Sequence, residues 1–362
     1  MPPPETAAAC RGDRPRPAAR APGRAGRRAA RRLAGAAGPA VIALLWLVAL
    51  ARIVGVDQRV PVLLLADGLV PVLTVAGVLP LAAGVVTRRV ALSAVAGGTV
   101  LAYLVWSTPG AVLRPAQPDT DRSGTASVRL FTANLSYHNR DVGPIAEEIR
   151  ATVPDVVAVQ ELTPDGEAGL RRSHALAGYR WVVADTLRGA AGIGLWSRQP
   201  LTDVQVLNLE GRPALAATVV LPAGRLRLVT VHPTSPLGGA ATWRRQLAQL
   251  DRILRASPRP LVVAGDFNAT RWHRGFARIL ATDLDDAHER RRRWWAATWP
   301  DDRRPLLPPL LHLDHVLVSP TVGVRAIREA AGRGSDHRPL ICDLLVPPGP
   351  PSGSRGSSGG AR

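Results

Sequence analysis

Three apolar stretches stand almost back to back near the start of the chain: PAVIALLWLVALARIVGV (39–56), VPVLLLADGLVPVLTVAGVLPLAAGVV (60–86) and VALSAVAGGTVLAYLVW (90–106). Each is about as long as a helix that crosses a bilayer, roughly 20 residues. Three in succession predict an all-α transmembrane region at the N-terminal end. A cleaved signal peptide is the other reading of the first stretch. Its apolar run, however, exceeds the usual ~7–15 residues, and further apolar segments follow directly. The middle stretch is the least regular, because Asp67, Pro61, Pro71 and Pro80 interrupt it. Either Asp67 faces a neighbouring helix, or the segment is kinked or re-entrant.

Charge gives these segments a direction. All 46 basic residues are arginine, and the formal net charge is +18. Residues 1–36 carry nine arginines against Glu5 and Asp13. Arg24, Arg27, Arg28, Arg31 and Arg32 precede the first stretch, and Arg88 and Arg89 lie between the second and third. Arginine-rich flanks stay in the cytoplasm. The expected organisation is therefore a disordered basic cytoplasmic tail (1–36) and a membrane anchor of about three helices (37–107). A Pro, Gly and Ser-rich linker (108–127) follows, then one large domain (128–345) and a disordered tail (346–362). Three crossings make this a multi-pass cell-membrane protein with the large domain extracellular, and the lipid bilayer is its first expected partner. No protein partner is predicted.

Only two cysteines occur, Cys10 in the tail and Cys342 in a strand-like run, so a thiolate metal site is excluded and a disulfide is not expected. The large domain alternates strand-like runs, among them SVRLFTANL, DVVAVQEL, LRLVTVH and PLICDLLV, with a few helical stretches such as GPIAEEIRAT and GGAATWRRQLAQLDRILRAS. In its middle, strands follow one another without helices, as hairpins do. The predicted class is an α/β sandwich with mixed sheets.

Several of these runs end or begin on polar groups. LFTANLS ends on Asn134, VVAVQEL on Gln160 and Glu161, LVTVHP on His232, and LVVAGDFN on Asp266 and Asn268; LHLDHVLVS begins with Asp314, and GSDHRPL precedes a strand with Asp336 and His337. Any one of them reads as a turn or a helix cap. Together they supply a pocket rim of carboxylates, amides and imidazoles without sulfur, a donor set suited to Mg2+ or Mn2+.

In the order QE, GDFN, LDH and SDHRP, these motifs resemble the endonuclease/exonuclease/phosphatase superfamily of metal-dependent phosphodiesterases, related to deoxyribonuclease I, abasic-site endonucleases and neutral sphingomyelinases. The resemblance covers about residues 128–345. It implies a four-layered α/β sandwich, two packed mixed β-sheets flanked by helices, with the site at one edge of the sheets. It also implies roles: Glu161, Asn134 and Asp336 bind the divalent ion, and Asp266 and Asn268 position and activate the attacking water and hold the phosphate. His232 donates to phosphoryl oxygens, Asp336 and His337 close the last corner on the metal and catalytic side, and Asp314 orients His337. One departure from the family pattern is Ala133, which stands beside Asn134 where a polar neighbour is common.

The chemistry needs these types. Hydrolysis of a phosphodiester builds negative charge on the non-bridging and leaving oxygens, which cations and N–H donors stabilise, and the attacking water needs a fixed proton acceptor. The expected function is thus a membrane-anchored, divalent-metal-dependent phosphoesterase acting through an activated water. A lipid or headgroup phosphodiester and extracellular nucleic acid are the competing substrates. HERRRRWWAATWP (288–300) suits either a lipid interface or a single-stranded nucleic acid, and reads equally as a solvated loop. A catalytically inactive, membrane-tethered binding module is the alternative from another class.

Overall fold

The computed structural model describes residues 24–108, 124–302 and 308–349, and side chains of the first helix from residue 36 onward. Most of the expected tails and of the 108–127 linker lie outside the described residues. The segment expected as the anchor comprises α1 (Arg24–Ile53), α2 (Pro61–Gly68), α3 (Val70–Val86) and α4 (Val90–Ser107). The first helix reaches back into the basic segment expected to be disordered up to residue 36.

Ala36–Ile53 and Val90–Ser107 are long and apolar enough to cross a membrane. The middle stretch is broken: α2 and α3 meet at 79°. The break falls at Leu69, whose φ of −95° and ψ of 15° leave the helical region, just before Pro71, which lacks a backbone N–H and crowds the preceding turn. Large apolar side chains on the remaining helices, including Leu47, Leu79, Val86, Leu101 and Val105, stay exposed. Exposed apolar surface of this extent marks an interaction site.

The globular part contains β1 (Ala126–Asn134), α5 (Gly143–Thr152), β2 (Val156–Gln160), α6 (Pro164–Arg172), β3 (Trp181–Asp185), β4 (Ile193–Ser197), β5 (Leu201–Leu209), β6 (Arg212–Leu221), β7 (Gly224–Val231) and α7 (Pro236–Ala256). It continues with β8 (Leu261–Asp266), α8 (Arg274–Leu280), β9 (Asp285–Asp286), α9 (Ala287–Arg290), β10 (Asp314–Val318), β11 (Gly323–Glu329) and β12 (Leu340–Val346). One sheet has the order β11-β12-β1-β2-β4-β3 and the other β5-β6-β7-β8-β10-β9. β1–β2 and β7–β8 are parallel; the remaining pairs are antiparallel.

Side chains alternate across each sheet, so each strand feeds two cores. Val128, Leu130, Val156, Ala158, Leu215, Leu228, Val262 and Leu344 meet between the sheets. The opposite face of the first sheet, with Phe131, Val157 and Trp196, is covered by Ile145 and Ile149 of α5 and Leu170 of α6. The opposite face of the second, with Val229, Leu261 and Val263, is covered by Trp243, Leu247 and Leu250 of α7 and Phe276 of α8. The expected four-layered sandwich results.

Leu64 of α2 is fully buried in that last core, a burial that stabilises by about 2 kcal/mol. The Leu64 carbonyl meets His273 Nε2 at 2.9 Å. Arg52 donates from Nη1 to the Trp272 carbonyl at 2.8 Å and pairs with Asp67 Oδ2 at 3.1 Å. Arg244 and Arg274 add hydrogen bonds to the carbonyls of Gln58 and Arg52. Gly68 lets the backbone come close, since a Cβ there would lie 3.3 Å from the His273 ring. Asp67 therefore faces a neighbouring helix, and the turn that carries it packs on the globular domain.

Asp67 is 0% exposed, and an uncompensated charge at such a site is strongly destabilising. Arg52→Met is expected to cost about 3 kcal/mol, and the double variant Arg52→Met/Asp67→Leu to recover most of it. Thermal unfolding of the detergent-solubilised protein, followed by tryptophan fluorescence, checks both.

Candidate active site

In each parallel pair the C-terminal ends of the two strands fall on the same edge, and an antiparallel neighbour brings its N-terminal end there. Hence Asn134 and Gln160 lie side by side at the ends of β1 and β2, and β7 and β8 deliver His232 and Asp266. β10 begins opposite them, with Asp314 paired to Asp266. The segment ahead of β12 supplies Ser335, Asp336 and His337. Two residues leave the strands in the left-handed region, Glu161 at φ 55° and Asn268 at φ 49°. An asparagine tolerates this conformation; a glutamate there is uncommon.

Asp266 is the hub, and it is 1% exposed. Its Oδ1 accepts from the Asn268 N–H at 2.7 Å, and its Oδ2 accepts from Asn134 Nδ2 at 3.0 Å. His232 Nε2 lies 3.5 Å from that oxygen and 3.6 Å from Glu161 Oε1. Asn134 Nδ2 also donates to Glu161 Oε1, at 3.1 Å, while its Oδ1 accepts from the Ser136 N–H at 2.9 Å. The amide is thereby fixed with nitrogen toward the two carboxylates. Glu161 Oε2 accepts from the Tyr137 N–H at 2.8 Å.

On the opposite side His337 Nδ1 meets Asp314 Oδ2 at 2.8 Å, and its Nε2 stands 3.7 Å from Asp266 Oδ2. The Thr298 hydroxyl accepts from the Asp314 N–H at 3.2 Å. Ser335 ties this corner to β1 by donating to the Asn134 carbonyl at 2.8 Å. Asp336 lines the same pocket, and its Oδ2 accepts from Trp299 Nε1 at 3.1 Å.

Burial raises the pKa of Asp266. Burial also opposes a charged imidazole, yet Asp314 and Asp266 outweigh it at His337, which is pushed up to about 10. The same pairing holds Asp314 below the usual carboxylate range despite its burial. His232 goes the other way: burial, then the charges of Arg212 and His337, lower it to about 3 and keep it neutral. The site thus holds one imidazolium and one neutral imidazole. Glu161 and Asp266 converge on shared donors with hard oxygen ligands, which fits Mg2+ or Mn2+.

The structure therefore brings Glu161, His232, Asp266, Asn268, Asp336 and His337 to the wall of one cavity of about 340 Å3, with Asn134 and Asp314 behind them, bonded to Glu161, Asp266 and His337. The strand-end motifs do not reveal the other contributors. Arg212, from the β5–β6 hairpin, faces the cavity near Glu161 and Asp266; one arginine among 46 basic residues carries no signal. Trp299 lines it, as do Leu64, Leu65 and Gly68 of the anchor. Within the arginine run, Arg290 pairs with Asp285 at 3.1 Å and Arg293 with Glu329, while Arg291, Arg292 and Arg293 are exposed.

The model of the Endonuclease/Exonuclease/phosphatase family matches residues 131–337. A UPF0294 protein of Vibrio campbellii is 23% identical over 234 residues, covering 62% of this chain and 79% of that protein. D. rerio TDP2 complexed with single-strand DNA product is similar in structure, with TM-score 0.53 and 17% identity over 60% of this chain and 99% of the other. An endonuclease/exonuclease/phosphatase from Bacteroides vulgatus has TM-score 0.50 and 20% identity, over 61% and 99% of the two chains. At these identities the structural likeness concerns the fold.

The raised His337 pKa makes a signed prediction for metal-free protein. Relative to an ordinary histidine near 6.5, the His337 pairing contributes stability that is fully present below about pH 6.5 and is lost as pH rises through about 10. Asp314→Asn is expected to flatten that alkaline loss, as read from denaturation midpoints between pH 6 and 10.

Proposed function

Because the chain belongs to the endonuclease/exonuclease/phosphatase family, we propose that it is a divalent-metal-dependent phosphodiesterase of the cell membrane whose substrate is a lipid phosphodiester. The observation that carries the substrate is the shared pocket. Glu161, His232, Asp266 and His337 share its wall with Leu64 and Leu65 of α2 and with Leu237, Leu311 and Leu313. An apolar wall contributed by membrane-anchoring helices, beside a phosphate-type polar cluster, suits a molecule with an acyl tail and a phosphodiester head.

A bound Mg2+ or Mn2+, held by Glu161, would supply positive charge to the phosphoryl oxygens. Asp266 takes the proton of the attacking water as its oxygen bonds to phosphorus and the bond to the leaving alcohol oxygen breaks. The Asn268 N–H and the Asn134 amide hold the Asp266 carboxylate in place. His337, kept cationic and oriented by Asp314, is placed to protonate the leaving oxygen or donate to it. Neutral His232 and Arg212 offer N–H groups to the non-bridging oxygens. Asn134, with its nitrogen toward Glu161, orients that carboxylate, and Asp336 braces the corner through Trp299.

Docking of α2 on the globular domain, with the 54–69 connection on the domain's side, supports three crossings; the extracellular direction itself rests on the arginine flanks. Protease that reached residues 1–36 of intact cells but spared the domain would reverse this.

A nuclease is the second reading, because the similar D. rerio protein is complexed with a single-strand DNA product. Full-length protein in nanodiscs, assayed with Mg2+ or Mn2+ on sphingomyelin, phosphatidyl lipids and plasmid DNA, separates the two. Lipid hydrolysis that EDTA abolishes is expected, with Asp266→Asn and His337→Ala each lowering kcat/KM by about 10³. Cleavage of DNA alone would select the nuclease. Absence of turnover on every substrate would favour the inactive binding module.

A further inference from the structure

A second cluster of metal-type ligands lies apart from the catalytic pocket. Successive residues of a strand face opposite sides of a sheet: Asp314 of β10 turns to His337, and His315 turns to Asp286 of the neighbouring β9. Around Asp286 are His288 of α9 and His312, just ahead of β10. One ligand atom from each of Asp286, His288 and His312 lies within 4.8 Å of the other two.

Hydrogen bonding within the protein does not satisfy this cluster. His288 is 0% exposed, and its ring nitrogens face only carboxylate oxygens, Asp286 Oδ1 at 3.5 Å and Glu329 Oε1 at 3.1 Å. His312 Nε2 is buried without a hydrogen-bond partner among the described residues. Each buried polar atom left this way costs about 1–3 kcal/mol. A purely ionic account, with a protonated His288 between Asp286 and Glu329, still leaves the His312 nitrogen without a partner. A cation among the three residues satisfies it together with His288.

We infer that Asp286, His288 and His312 form a second divalent-cation site, of zinc type. Two imidazoles and one carboxylate suit Zn2+, whereas Mg2+ prefers an all-oxygen set. The outer contacts also match such a site. His288 Nδ1 faces Asp286 Oδ1 at 3.5 Å, leaving Nε2 toward Glu329 Oε1 at 3.1 Å. Ligation through Nδ1 with a carboxylate behind the other nitrogen is the usual support for a metal-bound imidazole. His315 fixes the Asp286 carboxylate through Nδ1 at 2.5 Å and is itself held at Nε2 by the Ala269 carbonyl at 2.9 Å.

The three ligands leave a fourth position, and they line a cavity of about 250 Å3 shared with Val72 of α3, Trp294 and Trp295. They also bracket the excursion from residue 289 to 311, which carries Trp299 to the catalytic pocket. A cation here clamps both ends of that excursion.

The test reads metal content without any substrate, so its failure is separate from failure of the phosphodiesterase reading. Full-length protein in detergent is stripped with EDTA and titrated with ZnCl2 alone in excess Mg2+, then with CoCl2. One zinc per chain is expected to survive gel filtration and raise Tm, and Co2+ to give the intense visible bands of a tetrahedral site. His312→Ala and His288→Gln should weaken zinc binding at least about 100-fold, while Glu161→Gln retains it. Absence of retained zinc and of the cobalt bands in the folded wild type overturns the inference. So does zinc that both histidine variants keep, or that Glu161→Gln loses.

Discussion

A carboxylate removed from water must be met by donors on every side, and Asp266 imposes that requirement on the centre of the molecule. Its two oxygens accept from the Asn268 backbone and the Asn134 amide, with His232 and His337 within 4 Å. These partners come from four different strand ends. The position of this one group therefore constrains the relative placement of both sheets. A shift between them would separate Asn134 from Asp266 and leave a charge uncompensated.

The sheet arrangement makes the convergence possible. Each sheet has one central parallel pair, β1–β2 and β7–β8, and a parallel pair is the one arrangement that puts two consecutive C-terminal ends on a common edge. The antiparallel neighbours β10 and β12 then present their N-terminal ends there. Apolar strand interiors hold the sheets together while the polar termini, spared from the core, form the site.

This logic explains what was readable from the chain. Polar residues closing apolar runs, in GDFN, QEL, VHP and SDH, announced the rim because a buried strand has little other reason to end on such groups repeatedly. The mixed-sheet sandwich followed from the same runs, and its four layers from the family resemblance. Arg212 and Trp299 gave no warning, because their place depends on a hairpin and a long excursion rather than on a local pattern. Asp286, His288 and His312 were equally silent, being brought together by the β9–β10 pairing across more than twenty residues of sequence. Within the middle apolar stretch, Asp67 and the prolines signalled an interruption. The surface that receives the resulting short helix lies on residues such as His273 and Trp272, far along the chain, and could not be inferred.

That docked helix changes what counts as the enzyme. With Leu64 in the core behind β8 and the anchor walling the pocket, a fragment cut off after α4 would lose part of its own interior and expose an apolar scar. In the lipid phosphodiesterase proposed above, the apolar helices would also set the height and tilt of the pocket mouth over the bilayer. Substrate would then arrive by lateral diffusion in two dimensions, and its surface density, rather than its bulk concentration, would set the encounter rate.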